Sequence, residues 1–154
     1  MSGARKISLV LLVVFITMQF IRPARNETNE IHEADLIKHL HIPENVAGIL
    51  KTSCYDCHSN NTRYPWYTNI QPAGWLLAHH IKDGKEDLNF SEFANYSERR
   101  QLSKLKATHN SVKDGSMPLS SYTLIHANAR LSNESEALIL DWTAKTIDSL
   151  SARR

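Results

Sequence analysis

Cys54-Tyr55-Asp56-Cys57-His58 decides the reading of this chain, and it uses the only two cysteines present. The pattern C-x-x-C-H is the attachment signature of a c-type haem. Two thiols three positions apart can each form a thioether with one of the two vinyl groups on a single porphyrin edge. The adjacent imidazole is then carried under the iron, where histidine is the usual proximal ligand.

Other chemistries use the same cysteines and must be weighed. A dithiol oxidoreductase lowers a thiolate pKa with C-x-x-C at a strand-to-helix turn, but no alternating strand precedes Cys54. A zinc site needs two further ligands at workable spacing. No cysteine is left over, and the eight histidines do not pair at three to five residues. A chance motif or a small structural disulfide is the bland reading. Haem attachment accounts for all three chemically active residues at once.

The N-terminus gives an address. Residues 1–25 hold no acid; Arg5 and Lys6 precede an apolar-dominated run from Ile7 to Ile21, followed by Arg22-Pro23-Ala24-Arg25. A basic head and a short apolar run read as an export signal. As a helix the run reaches roughly 22 Å, short of a hydrocarbon core of about 30 Å. Arg22-Pro23-Ala24 nevertheless makes a poor peptidase site. The expectation is therefore an N-terminal signal anchor over 1–25, uncleaved and docking the chain to the membrane, with a cleaved signal peptide as the alternative. Residues 26–30 then form a tether and 31–154 the haem-binding domain. Positive charge keeps the N-terminus cytoplasmic, so the domain is expected in the bacterial periplasm at the inner membrane. Haem attachment would take place there too, with the c-type maturation machinery as a partner.

Charge excludes one class of partner. The chain has 18 Lys+Arg and 16 Asp+Glu; without the four bases and no acids of residues 1–25, the remainder carries −2. Phosphate backbones demand a basic footprint, so nucleic acid is not expected.

Apolar spacing reads as helix throughout. Stripes run over Ile31–Leu40, over Glu44 to Ser53 behind Pro43, and over Ala73 to about Lys82, with Gly84 expected as a C-terminal stop. Ser97 is the expected N-cap of a helix to Lys113 closed by Gly115. A last helix from Asn133 to Leu150 pairs Asn133 with Glu136 in an Asx-type capping box. The class is all-α, with helices wrapped around one covalent haem that fills space long loops would otherwise leave open. Trp66 and Tyr67, beside Pro65, are expected to wall the macrocycle, with ordinary core packing as the rival reading.

The second axial position decides what the iron does. Met117 leads, because Ser116 and Pro118 flank it in a loop where a core-filling methionine is out of place. His79, His80, His109 and His126 are the competitors.

Beyond the motif, Ser59-Asn60, Tyr64-Pro65-Trp66-Tyr67, Ile70, Pro72, Trp75, Leu88-Asn89-Phe90, Met117-Pro118, Tyr122, His126 and Arg130-Leu131-Ser132 resemble the bacterial haem-binding domain family. That family consists of small single-haem c-type proteins, similar to the cytochrome c superfamily. The resemblance covers roughly residues 30 to 150, together with the Gln19–Pro23 exit of the apolar run. It implies His58 as the proximal ligand and Met117 as the distal one. The expected role is a one-electron carrier, not an enzyme, serving redox proteins of the membrane or periplasm. The alternative is a haem-based sensor or peroxidase-like protein with an open or displaceable distal site.

Overall fold

A computed structural model describes residues 2–28 and 33–153. Its regular structure is helical, and no strand occurs among the described residues; an isolated bridge pairs Glu27 with Asn61. Eight α-helices follow in order: α1 Gly3–Met18, α2 Leu36–His39, α3 Glu44–Ser53, α4 Tyr55–His58, α5 Ala73–Asp87, α6 Glu98–Lys113, α7 Ser120–Ile125 and α8 Asn133–Ala152. Short 3-10 turns at Trp66–Asn69, Phe90–Asn95 and Ala127–Ala129 fill connections.

The core forms where the apolar stripes converge. Leu36, Val46, Leu50, Leu88, Phe90, Phe93, Leu105 and Trp142 make one buried cluster. Leu102, Leu105 and Val112 on α6 and Ile139 and Trp142 on α8 are buried, and the two helices pack against each other. Burying large side chains of this kind is worth about 1.5–3 kcal/mol each, so this helix pair is the scaffold against which shorter elements are set.

Four expectations are corrected at element ends. The stripe over 31–40 does not make one helix: residues 31 and 32 lie outside the described residues, and α2 starts only at Leu36. Asp35 stops it from starting earlier, because its carboxylate caps the Ile37 N–H (2.9 Å) and accepts the Tyr55 hydroxyl (2.8 Å). The third stripe does not stop near Lys82; α5 passes through Gly84 to Asp87. The cap of α8 is Ser132, whose hydroxyl accepts from the Ser135 N–H (3.1 Å), and not Asn133. Serine competes as well as asparagine for this position, and it stands one residue earlier.

The fourth correction concerns the expected membrane-spanning anchor. α1 has sixteen residues, about 24 Å of helix, and among the described residues no helix is long and apolar enough to cross a membrane. The chain after α1 is laid on the domain. The Gln19 side chain donates to Gln71 O (3.2 Å) and accepts from Gln71 N (2.9 Å), while the Trp75 indole donates to Ile21 O (2.7 Å). Asn26 is held by Tyr64, Ser59 and Thr62, and Thr28 by Asn60.

Candidate functional site

α3 delivers the chain into the cysteine motif, and α4 is the single turn that shapes it. The N–H of Cys57 and of His58 both return to Cys54 O, at 3.2 and 3.0 Å. One helical turn therefore brings the two thiols to the same side and sets the imidazole beside them.

The two residues between the cysteines pin that turn from behind. Tyr55 stacks on Phe90 with ring centroids 5.1 Å apart and bonds Asp35. Asp56 is buried; it accepts from the Arg63 backbone N–H and guanidinium (both 3.2 Å) and from the Tyr122 hydroxyl (2.6 Å). Nothing in the local pattern flags Tyr122, which lies 66 residues away in sequence. The only local hint is an acid between the cysteines with an arginine seven positions on.

His58 is oriented by backbone oxygen. Its Nδ1 lies 2.8 Å from Gly84 O and 3.0 Å from Leu88 O. Carbonyl oxygens only accept, so Nδ1 carries the hydrogen and Nε2 is left with a free lone pair. The Gly84 carbonyl, in the last turn of α5, also accepts the Leu88 N–H at 2.8 Å, and Leu88 is the residue that ends the helix. Gly84 makes the approach possible. A Cβ there would stand 2.8 Å from Cys57 O. In the sequence this glycine reads as a stop, because a need for close backbone approach leaves the same signature as a helix end.

Cys54 and His58 line a cavity of about 300 Å³ with Leu88, Phe90, Val112 and Met117. A wider cavity of about 570 Å³ lies behind the motif against Asp35, Tyr55 and Asp56, and neither His58 nor Met117 lines it. The smaller cavity is the one with ligating chemistry.

Met117 reaches that cavity from the loop after α6. Gly115 turns the chain with φ +71°, a conformation that favours glycine, and Met117 N then bonds Ser111 O at 3.0 Å. The other candidates for the second axial position do not line this cavity. His79 is exposed beside Asp83 (3.2 Å), and His80 follows it on the same helix. His109 Nδ1 contacts the buried Thr143 hydroxyl (2.8 Å). His126 donates from Nδ1 to Tyr122 O (3.1 Å) and accepts the Tyr67 hydroxyl at Nε2 (2.9 Å).

Trp66 and Tyr67 do not line the cavity of His58 and Met117 either. The Trp66 indole is 76 % exposed. Tyr67 is tied to His126, and its hydroxyl pKa is raised by burial and by the charges of Asp56 and Cys57.

Both cysteines are half-buried and are not joined in a disulfide. Burial, with Cys57 nearby, pushes the Cys54 thiol up to about 12; burial and the Asp56 charge push Cys57 up to about 11. A redox dithiol needs the opposite shift. Among the described residues no group of three or more His, Cys, Asp or Glu side chains is placed to hold a metal ion, so the zinc reading lacks a ligand set.

An all-helical domain that turns a free imidazole nitrogen and a thioether toward one apolar cavity, beside a C-x-x-C thiol pair, has the donor set of a haem site. A family model described as haem-binding domain matches residues 13–145, and the chain belongs to that family. No curated protein and no solved structure matches. The residues present fit the cofactor: His58 offers a fixed nitrogen, Cys54 offers sulfur at the cavity wall with Cys57 one turn on in α4, and Leu88, Phe90 and Val112 offer apolar wall.

Proposed function

We propose that this haem-binding protein holds one covalent c-type haem and works as a one-electron carrier in the bacterial periplasm. The observation that supports it most is that His58 and Met117 line one cavity, with Nε2 of His58 left free by the two carbonyls on Nδ1. When bound, the haem would supply a ferric/ferrous couple; His58 and Met117 would hold it, and a neutral thioether ligand would favour the ferrous side.

The chain's own residues do the rest. Cys54 and Cys57 would hold the group through two thioether links, each made by adding S–H across a vinyl group, sulfur to one carbon and hydrogen to the other, with no net oxidation. Burial holds both thiol pKa values above the ordinary cysteine range. Leu88, Phe90 and Val112 exclude water from the imidazole side. Partners on this reading are redox proteins of the membrane or periplasm and the machinery that attaches the haem. The export-type head of the sequence, Arg5-Lys6 before an apolar run, supports that compartment.

A second reading, a sensor with a displaceable distal ligand, draws on the 36 % exposure of Met117. Peroxide cleavage is disfavoured, because His79, His109 and His126 stand outside the cavity. Optical spectra separate the readings. The carrier gives a low-spin reduced spectrum that carbon monoxide leaves unchanged, and a weak near-infrared thioether–iron band when oxidised. Ready carbon monoxide binding to the reduced parent protein would favour the sensor.

A further inference from the structure

Two lysines among the described residues are half-buried, Lys85 and Lys104. Lys85 donates to Asn26 Oδ1 at 2.6 Å. Lys104 has no ion pair or hydrogen bond from its ammonium among the described residues, and it lines the cavity that holds His58 and Met117. Among the described residues Lys104 is the one lysine or arginine lining that cavity, and its ammonium is not buried, so it is open to an anion placed there. The acid that shares the cavity, Asp87, is exposed and forms no ion pair with Lys104.

α6 presents Lys104, Thr108 and Ser111 to the cavity, at steps of four and three, as one helical face. Thr108 spends its hydroxyl hydrogen on Lys104 O (2.9 Å), so the charged donor of this face is Lys104. On the proposed reading, Cys54 and Cys57 fix the vinyl edge of the macrocycle against α4. The propionates, on the opposite edge, would then need a cation from an element other than α4.

Resting on that haem reading, we propose that Lys104 is the residue that binds a haem propionate, and that the Lys104 ammonium thereby sets part of the iron's potential. A cation at the macrocycle's edge stabilises the added electron of the ferrous state. Lys106 is exposed on the same helix and outside the cavity, which makes it a control of equal charge.

The experiment uses the holoprotein with its attached haem and compares K104Q, K104R and K106Q by spectroelectrochemistry and by resonance Raman spectroscopy of the propionate bending bands. K104Q is expected to shift the ferric/ferrous ratio three- to tenfold toward ferric, about 30–60 mV at 59 mV per decade, and to move the propionate bands. K104R should restore both readouts, and K106Q should move neither. Equal potential shifts in K104Q and K106Q, or unmoved bands in K104Q, would overturn the assignment while the attached haem leaves the carrier reading standing. A parent protein without covalent haem would overturn both.

Discussion

His58 Nδ1 sits 2.8 Å from the carbonyl oxygen of Gly84, and Gly84 in turn lies against the backbone of Cys57. One residue of α5 therefore both aims the imidazole and seats the turn that carries the thiols. Gly84→Ala tests this. Its Cβ would meet Cys57 O at 2.8 Å, and a backbone oxygen cannot swing aside as a side-chain end can. Overpacking of this kind costs about 1–3 kcal/mol, against about 1 kcal/mol that alanine returns in helix propensity. We expect a net loss of roughly 0–2 kcal/mol in urea unfolding together with reduced haem content; a variant more stable than the parent with full haem would contradict the close approach.

Met117→Ala should keep the haem attached while removing the thioether. The midpoint potential is expected to fall by on the order of 100 mV, within the ≈ 0.8 V range that axial ligands command, and the reduced iron should now bind carbon monoxide. An unchanged near-infrared band in the variant would exclude Met117 as the ligand.

The thiols of the haem-free protein should alkylate slowly. With pKa values of about 12 and about 11, the thiolate that reacts is roughly a thousandth or less of the total at pH 8. Iodoacetamide labelling should rise with pH well past 9, and urea should abolish the lag. The sign for stability follows. Folding raises these pKa values from 9.0, so their contribution is complete below pH 9 and is lost as pH climbs through 11 to 12. Fast labelling of the folded apoprotein at pH 8 would show the thiols to be open.

Tyr122→Phe removes the 2.6 Å bond to Asp56 Oδ2 and leaves Arg63 as the partner of a buried carboxylate. Hydrogen bonds to charged groups contribute about 1.5–3 kcal/mol. The urea midpoint should fall accordingly, with the haem still bound. A change below a few tenths of a kcal/mol would mean that Asp56 finds solvent instead.

The sequence made some of this legible and hid the rest for physical reasons. α3 and α6 appear where their apolar spacing puts them, with Ser97 capping α6 through Arg100 N. Their stripes are long enough for periodicity to outweigh local accident. The motif Cys54-Tyr55-Asp56-Cys57-His58 stands out in the sequence because it holds the only two cysteines of the chain. α2, α4, α7 and the 3-10 turns span three to six residues, too short for a period to register, and they are held by tertiary bonds such as Tyr55–Asp35. The orientation of His58 was invisible for another reason. Its partners are carbonyls of Gly84 and Leu88, which no side-chain pattern announces. Trp66 shows the converse, an aromatic whose residue type suggested a wall and whose position is solvent.

The central claim is that Cys54 and Cys57 are joined to a haem, and intact mass spectrometry of the exported protein tests it most directly. The account predicts a polypeptide heavier by one haem, whose colour stays with the protein through acid–acetone treatment, with the added mass on the peptide that carries Cys54 to His58. A mature chain with the mass of its amino acids alone, or a haem that acid–acetone removes, would contradict it.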